Sequence, residues 1–170
     1  MSGAPHEPTL VRPATTADAA AIADIYNHYV TSTVVTFEET PVSAADMSGR
    51  IEVVLGASLP WLVAEEAGHI LGYAYAGKWQ ARAAYRFSTE ITVYLAPSEL
   101  RRGLGSNLYN HLFPLLEARG IHAVVGGIAL PNEGSVALHE KFGMRKAAHY
   151  PEVGFKFGRW VDVGYWHRTF

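Results

Sequence analysis

The chain contains no cysteine, which removes disulfide staples, thiol nucleophiles and cysteine metal sites from consideration. Long apolar runs are missing as well: nowhere do ~18 apolar residues follow one another, the length a bilayer requires. The opening MSGAPHEPT has neither the basic start nor the apolar centre of a signal peptide. These absences lead us to expect a cytoplasmic protein with no membrane partner. Neither sign of charge dominates, since 14 Lys and Arg against 16 Asp and Glu leave a net charge of −2. A dedicated nucleic-acid binder carries a basic face, so no nucleic-acid partner is expected. The eight histidines show no HxxxH or HxH spacing, and no metal is expected either. Internal repeats and low-complexity segments are also lacking.

What is present is ordinary for a globular chain: 170 residues, 49% hydrophobic and 18% charged. That length suits one core, and we expect a flexible N-terminus over residues 1–8 and a single domain over residues 9–170. A first short strand falls on residues 9–13. The run Thr15-Thr16-Ala17-Asp18 then caps a helix whose apolar face is Ala19, Ile22, Ala23, Ile25, Tyr26 and Tyr29. From Thr31 to Phe37 the chain is too β-branched for a helix interior and reads as an extended excursion with Phe37 at its tip. Ser43 can cap a second helix to about Leu55. Two strands, near residues 60–64 and 70–79, join through Glu66-Ala67-Gly68. Residues 80–86 read as a surface loop.

The most informative stretch is residues 88–109, STEITVYLAPSELRRGLGSNLY. Glu90 to Leu95 alternates like a half-buried strand, and residues 96–102 break it. From Gly103 onward Leu104, Leu108, Leu112, Leu115 and Leu116 keep the 3.6-residue period of an amphipathic helix, ending near Arg119 and Gly120 with Pro114 inside. A helix that starts at two glycines behind Arg101 and Arg102 is built to receive an anion, because its first N–H groups have no intrahelical partner and lie at the positive end of the dipole. The GxG pair lacks the continuation of a dinucleotide fingerprint or a P-loop. Residues 121–129 form a nearly continuous apolar run, as in a strand buried on both faces. Asn132 can cap a short helix to Gly143, and two strands close the chain around Gly158-Arg159. The order β-α-α-β-β-β-α-β-α-β-β predicts an α/β (α+β) sandwich with a mixed, mostly antiparallel sheet and about four helices.

Several pieces, taken in order, carry a resemblance: residues 36–41 (TFEETP), 61–65 (WLVAE), 73–77 (YAYAG), 89–94 (TEITVY), 102–105 (RGLG), 130–132 (LPN), 138–140 (LHE) and 154–160 (GFKFGRW). The pattern resembles the GNAT (GCN5-related N-acetyltransferase) superfamily, in its phosphinothricin and methionine sulfoximine or sulfone acetyltransferase branch. The likeness spans residues 10–166. It implies acetyl-CoA as cosubstrate and a small-molecule amine as acceptor. It also implies a homodimer with the C-terminal strands near the sites.

The family's pyrophosphate turn, Gln/Arg-x-x-Gly-x-Gly/Ala, falls on Leu100 to Gly105, with Leu100 departing from the pattern. The resemblance implies that the backbone of Arg101, Arg102, Gly103, Leu104, Gly105 and Ser106 cradles the phosphates and that Arg101 or Arg102 supplies the missing side chain. It further implies that main-chain groups of Val93, Tyr94 and Leu95 pair with the pantetheine arm. Asn132 and Lys141 match positions that close around the thiol end.

Glu90 is the expected general base, its apolar strand neighbours favouring a raised pKa; the family's proposed catalytic carboxylate falls here. The alternative is a solvent-facing carboxylate, or a partner for Arg82 or Arg86. His139 stands where many relatives place a tyrosine that protonates the thiolate, and it is either an acid or base or a satisfied structural residue. An α-carboxylate would be clamped by Arg82 or Arg86, unless both arginines are solvated loop residues. Gln80, Ala81, Ile91 and Thr92 complete the substrate loop and strand, with Phe37 and Tyr85 as its apolar wall. Tyr73, Tyr75, Trp160, Tyr165 and Trp166 are expected in the core or a subunit interface. The implied activity is acetyl transfer to the primary amine of a small amino-acid-like substrate. The alternatives are another amine, such as a polyamine, an aminoglycoside or a protein N-terminus, or a non-catalytic CoA-binding module.

Overall fold

The computed structural model describes residues 8–170, so the expected flexible start falls, Pro8 apart, outside the described residues. Seven strands and four helices follow in the predicted order: β1 (Leu10–Pro13), α1 (Ala19–Ser32), α2 (Ala44–Gly56), β2 (Trp61–Glu66), β3 (His69–Lys78), β4 (Ser88–Leu95), α3 (Leu104–Ala118), β5 (Ala123–Leu130), α4 (Glu133–Lys141), β6 (Arg145–Lys156) and β7 (Arg159–Thr169). The strands form one sheet in the order β1-β2-β3-β4-β5-β7-β6. Every neighbouring pair is antiparallel except β4 and β5, which run parallel.

Each helix lies where its apolar stripe meets a sheet face. On α3, Leu108, Leu112 and Leu116 are fully buried, and each such leucine contributes about 1.5–3 kcal/mol on leaving water. Pro114 occupies the exposed side of α3. The Asn110 carbonyl it leaves without an intrahelical partner is therefore on the solvent face. On the opposite side of the sheet, α1 brings Tyr26 and Tyr29 against Tyr94 of β4, with ring centroids 5.2 and 5.0 Å apart. Trp61, Tyr73 and Tyr75 stack across β2 and β3 on that face.

Two local expectations shift. Helix α1 continues through Thr31 and Ser32, because the Thr31 hydroxyl donates to the Asn27 carbonyl at 2.9 Å and so satisfies within the helix a group that usually competes with it. The extended excursion therefore begins at Thr33. Strand β5 is not buried on both faces throughout, since Gly127 is exposed in its middle.

Candidate active site at the parting of two strands

Strands β4 and β5 pair over only three residues each, from Ser88↔Ala123 to Glu90↔Val125, although β4 continues to Leu95 and β5 to Leu130. Beyond Glu90 they part. The Phe87 carbonyl accepts the Ala123 N–H at 3.1 Å on the β5 side, while the Ala96 N–H donates to the Leu71 carbonyl at 2.8 Å on the β3 side. Alternation along the strand therefore turns the main-chain groups of Ile91, Val93 and Leu95 toward the opening, and those of Thr92 and Tyr94 toward β3. An exposed strand edge of this kind accepts an extended ligand as an added strand. Tyr29 donates its hydroxyl to the Leu95 carbonyl at 2.6 Å, leaving Ile91 and Val93 as the residues whose main-chain groups line the gap. Tyr94 lines the cavity, but its main-chain groups pair with β3 in place of the added-strand pairing expected of them.

A cavity of about 170 Å³ occupies the parting, lined by Glu90 to Tyr94, Gly127 to Ala129, Val35, Asn132, Ser135 and His139. Beside it, on the face that carries Glu90, lies a larger cleft of about 930 Å³. Its walls include Thr36, Phe37, Trp79, Tyr94, Tyr150 and Tyr165. Glu90 and Tyr94 line both, as do Val35, Gly127 and Ala129. The Glu90 carboxylate is half-buried, and burial pushes its pKa up. It makes no ion pair with Arg82 or Arg86 or with any other described residue. A cleft with one carboxylate, raised and unpaired, suits removal of a proton from an ammonium near neutral pH.

The two glycines of β5 show which side each group occupies. A Cβ on Gly127 would come 3.3 Å from Glu90 Oε1, whereas one on Gly126 would come 2.6 Å from the His139 ring. Successive strand residues point to opposite faces, so Glu90 and His139 face the parting from opposite sides of the sheet. His139 is 3% exposed. Its Nδ1 lies 2.7 Å from the Ser135 carbonyl, which can only accept, so Nδ1 carries the proton. Nε2 then accepts from the Tyr109 hydroxyl at 3.1 Å. Burial pushes the imidazole pKa down and that of the fully buried Tyr109 phenol up. Both ring nitrogens of a neutral histidine are thus occupied.

At the other end of the parting, Gly103 caps α3 with φ +77°, in the left-handed region, and the amides of Leu104, Gly105 and Ser106 open the helix without intrahelical partners. These groups fit a pyrophosphate. Gly105 has a second duty, since a Cβ there would come 2.9 Å from Leu138 Cδ2 of α4. Lys141 Nζ donates to Ser106 Oγ at 2.9 Å, which brings its charge to this helix start in place of the thiol end expected of it. Asn132 caps α4, its Oδ1 accepting the Ser135 N–H at 3.1 Å. The two arginines separate. Arg102 is held by Glu99 and, at 2.9 Å, by Glu66, whereas Arg101 makes no side-chain hydrogen bond or ion pair among the described residues. Leu100 is 53% exposed.

On the substrate side the structure gathers Phe37, Gln80, Ile91 and Thr92 around the two cavities. Ala81, Arg82 and Tyr85 sit in the exposed loop and line neither. Arg86 lies over the Phe87 ring at 4.4 Å and donates to the Ala83 carbonyl. Tyr73 and Trp166 are core, as expected. Tyr165, expected in core or interface, lines the cleft within electrostatic reach of Glu90. Trp79, Val35 and Tyr109 carried no signal in the sequence, because apolar and aromatic residues in strands, loops and helix faces look the same whether they line a cavity or fill a core. No group of metal-binding side chains occurs among the described residues.

Comparison with known proteins agrees with this geometry. The acetyltransferase (GNAT) domain family matches residues 11–164. The phosphinothricin N-acetyltransferase of Streptomyces viridochromogenes is 45% identical over 163 residues, covering 96% of this chain and 88% of the relative. The L-methionine sulfoximine/L-methionine sulfone acetyltransferase of Salmonella typhimurium is 37% identical over 153 residues, 90% of either chain. A crystal structure of a phosphinothricin acetyltransferase from Sinorhizobium meliloti in complex with acetyl-CoA superposes with a TM-score of 0.91 at 36% identity, covering 95% of this chain and 88% of that one. With strands that part at a half-buried carboxylate, an anion-receiving helix start beside them and a family match over nearly its whole length, the chain belongs to the GNAT acetyltransferases.

Proposed function

We propose that this acetyltransferase moves the acetyl group of acetyl-CoA onto the primary amine of a small amino-acid-like substrate, of the phosphinothricin or methionine sulfone and sulfoximine type, by direct attack. Glu90 is the general base. The observation that carries this reading is the half-buried Glu90 carboxylate, raised by burial, on the wall shared by the two cavities. The names of the relatives support the substrate class.

Acetyl-CoA supplies the thioester. The chain's own groups do the rest. The edge of β4 at Ile91 and Val93 offers N–H and C=O groups to an extended ligand, and the α3 start with Arg101 and Lys141 meets its phosphates. In the larger cleft Phe37, Trp79 and Tyr165 hold the body of the amine substrate, and Glu90 takes the ammonium proton so that a neutral nitrogen attacks. His139, neutral and with both nitrogens engaged, positions α4 against β5 rather than titrating. When the C–S bond breaks, the attacking nitrogen gives up its second proton and the departing thiolate takes one up, so the products are the amide and the CoA thiol. One domain over residues 9–170 carries the whole reaction, in the cytosol. The exposed apolar side chains Val153, Phe155, Phe157 and Trp160 on β6, the following turn and β7 support pairing with a second copy.

A panel of amines scored by release of the CoA thiol, with methionine sulfone and phosphinothricin among them, tests the substrate class; reaction only with large polycationic amines overturns it. Glu90→Gln is expected to lower the rate severalfold or more at neutral pH with acetyl-CoA binding kept. An unchanged rate removes Glu90 from the mechanism.

A further inference from the structure

Lys156 is the one described lysine that is almost fully buried, at 1% exposure, and it forms no ion pair with any described carboxylate. A buried ammonium without hydrogen bonds is strongly disfavoured. Lys156 satisfies itself on main-chain carbonyls far away in sequence: Nζ donates to the Thr36 carbonyl at 2.8 Å and to the Tyr29 carbonyl at 3.4 Å. Tyr29 lies in the last turn of α1, at the negative end of the helix, and its carbonyl also accepts the Thr33 N–H at 3.3 Å and the Thr33 hydroxyl at 2.9 Å. Thr36 lies in the segment that follows, and Val35, Thr36 and Phe37 all line the large cleft. The same strand grips the segment a second time, since a Cβ on Gly154 would come 2.3 Å from the Phe37 ring; only a residue without a side chain lets that ring lie flat on β6. From the α1 side, the Tyr26 hydroxyl lies 2.7 Å from Thr36 Oγ1. At its start the segment is held to α1 by Thr33, whose hydroxyl donates to the Tyr29 carbonyl at 2.9 Å, and Val35 N–H donates to Thr33 Oγ1 at 3.1 Å.

We propose that Lys156 is a positioning residue for the amine substrate. Its ammonium, buried against the end of α1, ties β6 to residues 33–37 and so sets the wall that Thr36 and Phe37 present to the acceptor amine, on the side of the large cleft and away from the parting. The proposal rests on the larger cleft being the one that receives the amine. Charged groups facing Lys156 are Glu38 and Glu39, whose fields favour the ammonium, and the ring of Phe157 lies 5.0 Å from Nζ.

Lys156→Met keeps the unbranched stem, one atom shorter, and removes its donors. Amide hydrogen exchange over residues 33–38 is expected to quicken in this variant of the full chain while exchange in β2 and β3 stays as it was. With whichever amine the wild type acetylates, its KM is expected to rise severalfold while the KM for acetyl-CoA is unchanged. Unchanged exchange over residues 33–38 overturns the tie. Faster exchange throughout the chain, or an equal change in both KM values, also overturns it, because Lys156 is then only a stabilising residue. The exchange measurement needs no substrate, so it tests the tie even where the substrate class is wrong. Gly154→Ala, which displaces Phe37 and leaves Lys156 in place, is expected to reproduce the rise in amine KM; no rise there shows that the wall does not depend on this strand.

Discussion

Glu90 lies half-buried on β4 with no basic group paired to it among the described residues, and burial raises its pKa. The folded state therefore binds its proton more tightly than the unfolded chain does. Linkage then fixes the sign: between the ordinary glutamate value and the raised folded value, stability falls as pH rises. Glu90→Gln removes that dependence, so the variant is expected to be more stable than the wild type at neutral pH while acetylating more slowly. Thermal unfolding across pH 4 to 8 reads this out, and a wild type that stays the more stable of the two at pH 7 contradicts it. The acid limb of kcat/KM is expected to follow the same carboxylate, with activity falling as pH drops through its raised pKa. At the helix start the two arginines make separate predictions. Arg101→Ala removes a cation that is unpaired among the described residues, and a hydrogen bond to a charged group is worth about 1.5–3 kcal/mol, so the acetyl-CoA KM is expected to rise about ten- to a hundredfold. Arg102→Ala instead releases Glu66 and Glu99, lowering the melting temperature more than it raises that KM. Steady-state kinetics on both variants separates these roles.

Among the elements, α4 is short, with one fully buried polar side chain turned onto β5. Its seat depends on Gly126, because the His139 ring occupies the place a Cβ would take, 2.6 Å away. The ring cannot swing aside without breaking the contacts to Ser135 and Tyr109. Gly126→Ala is expected to destabilise the protein by about 1–3 kcal/mol, the usual effect of overpacking, measured by chemical denaturation. An undisturbed midpoint would mean that α4 does not rest on the strand through this ring. Tyr109 belongs to the same element pairing, from α3 beneath. Its partnership with His139 was not legible in the sequence, since the two lie thirty positions apart.

For the whole molecule, the outer strands present Val153, Phe155 and Trp160 to solvent at 60%, 52% and 60%, with the Phe155 and Trp160 rings 4.8 Å apart. Contiguous exposed aromatics of this kind mark interaction surfaces. Sedimentation is expected to show a dimer for the wild type and a monomer for the Phe155→Ser, Trp160→Ser double variant; a wild-type monomer ends the proposal of a second copy. The cleft beside Glu90 is lined in part by Phe155, so the double variant is also expected to change the amine KM.

The order of the elements, the amphipathic face of α3 and the glycine turn before it were all determined by the sequence alone, because each depends on residues within one or two turns of the chain. The resemblance carried Glu90 and the helix start to their positions on the same local grounds. Only the tertiary structure decided where β4 and β5 stop pairing, which face of the sheet each of Glu90 and His139 occupies, and which arginine is free. It also decided that Lys156, 120 residues from Thr36, ties down the wall of the cleft. Those outcomes depend on contacts between segments far apart in sequence, and on burial, which sets the protonation of a carboxylate or an imidazole through neighbours that no local pattern encodes.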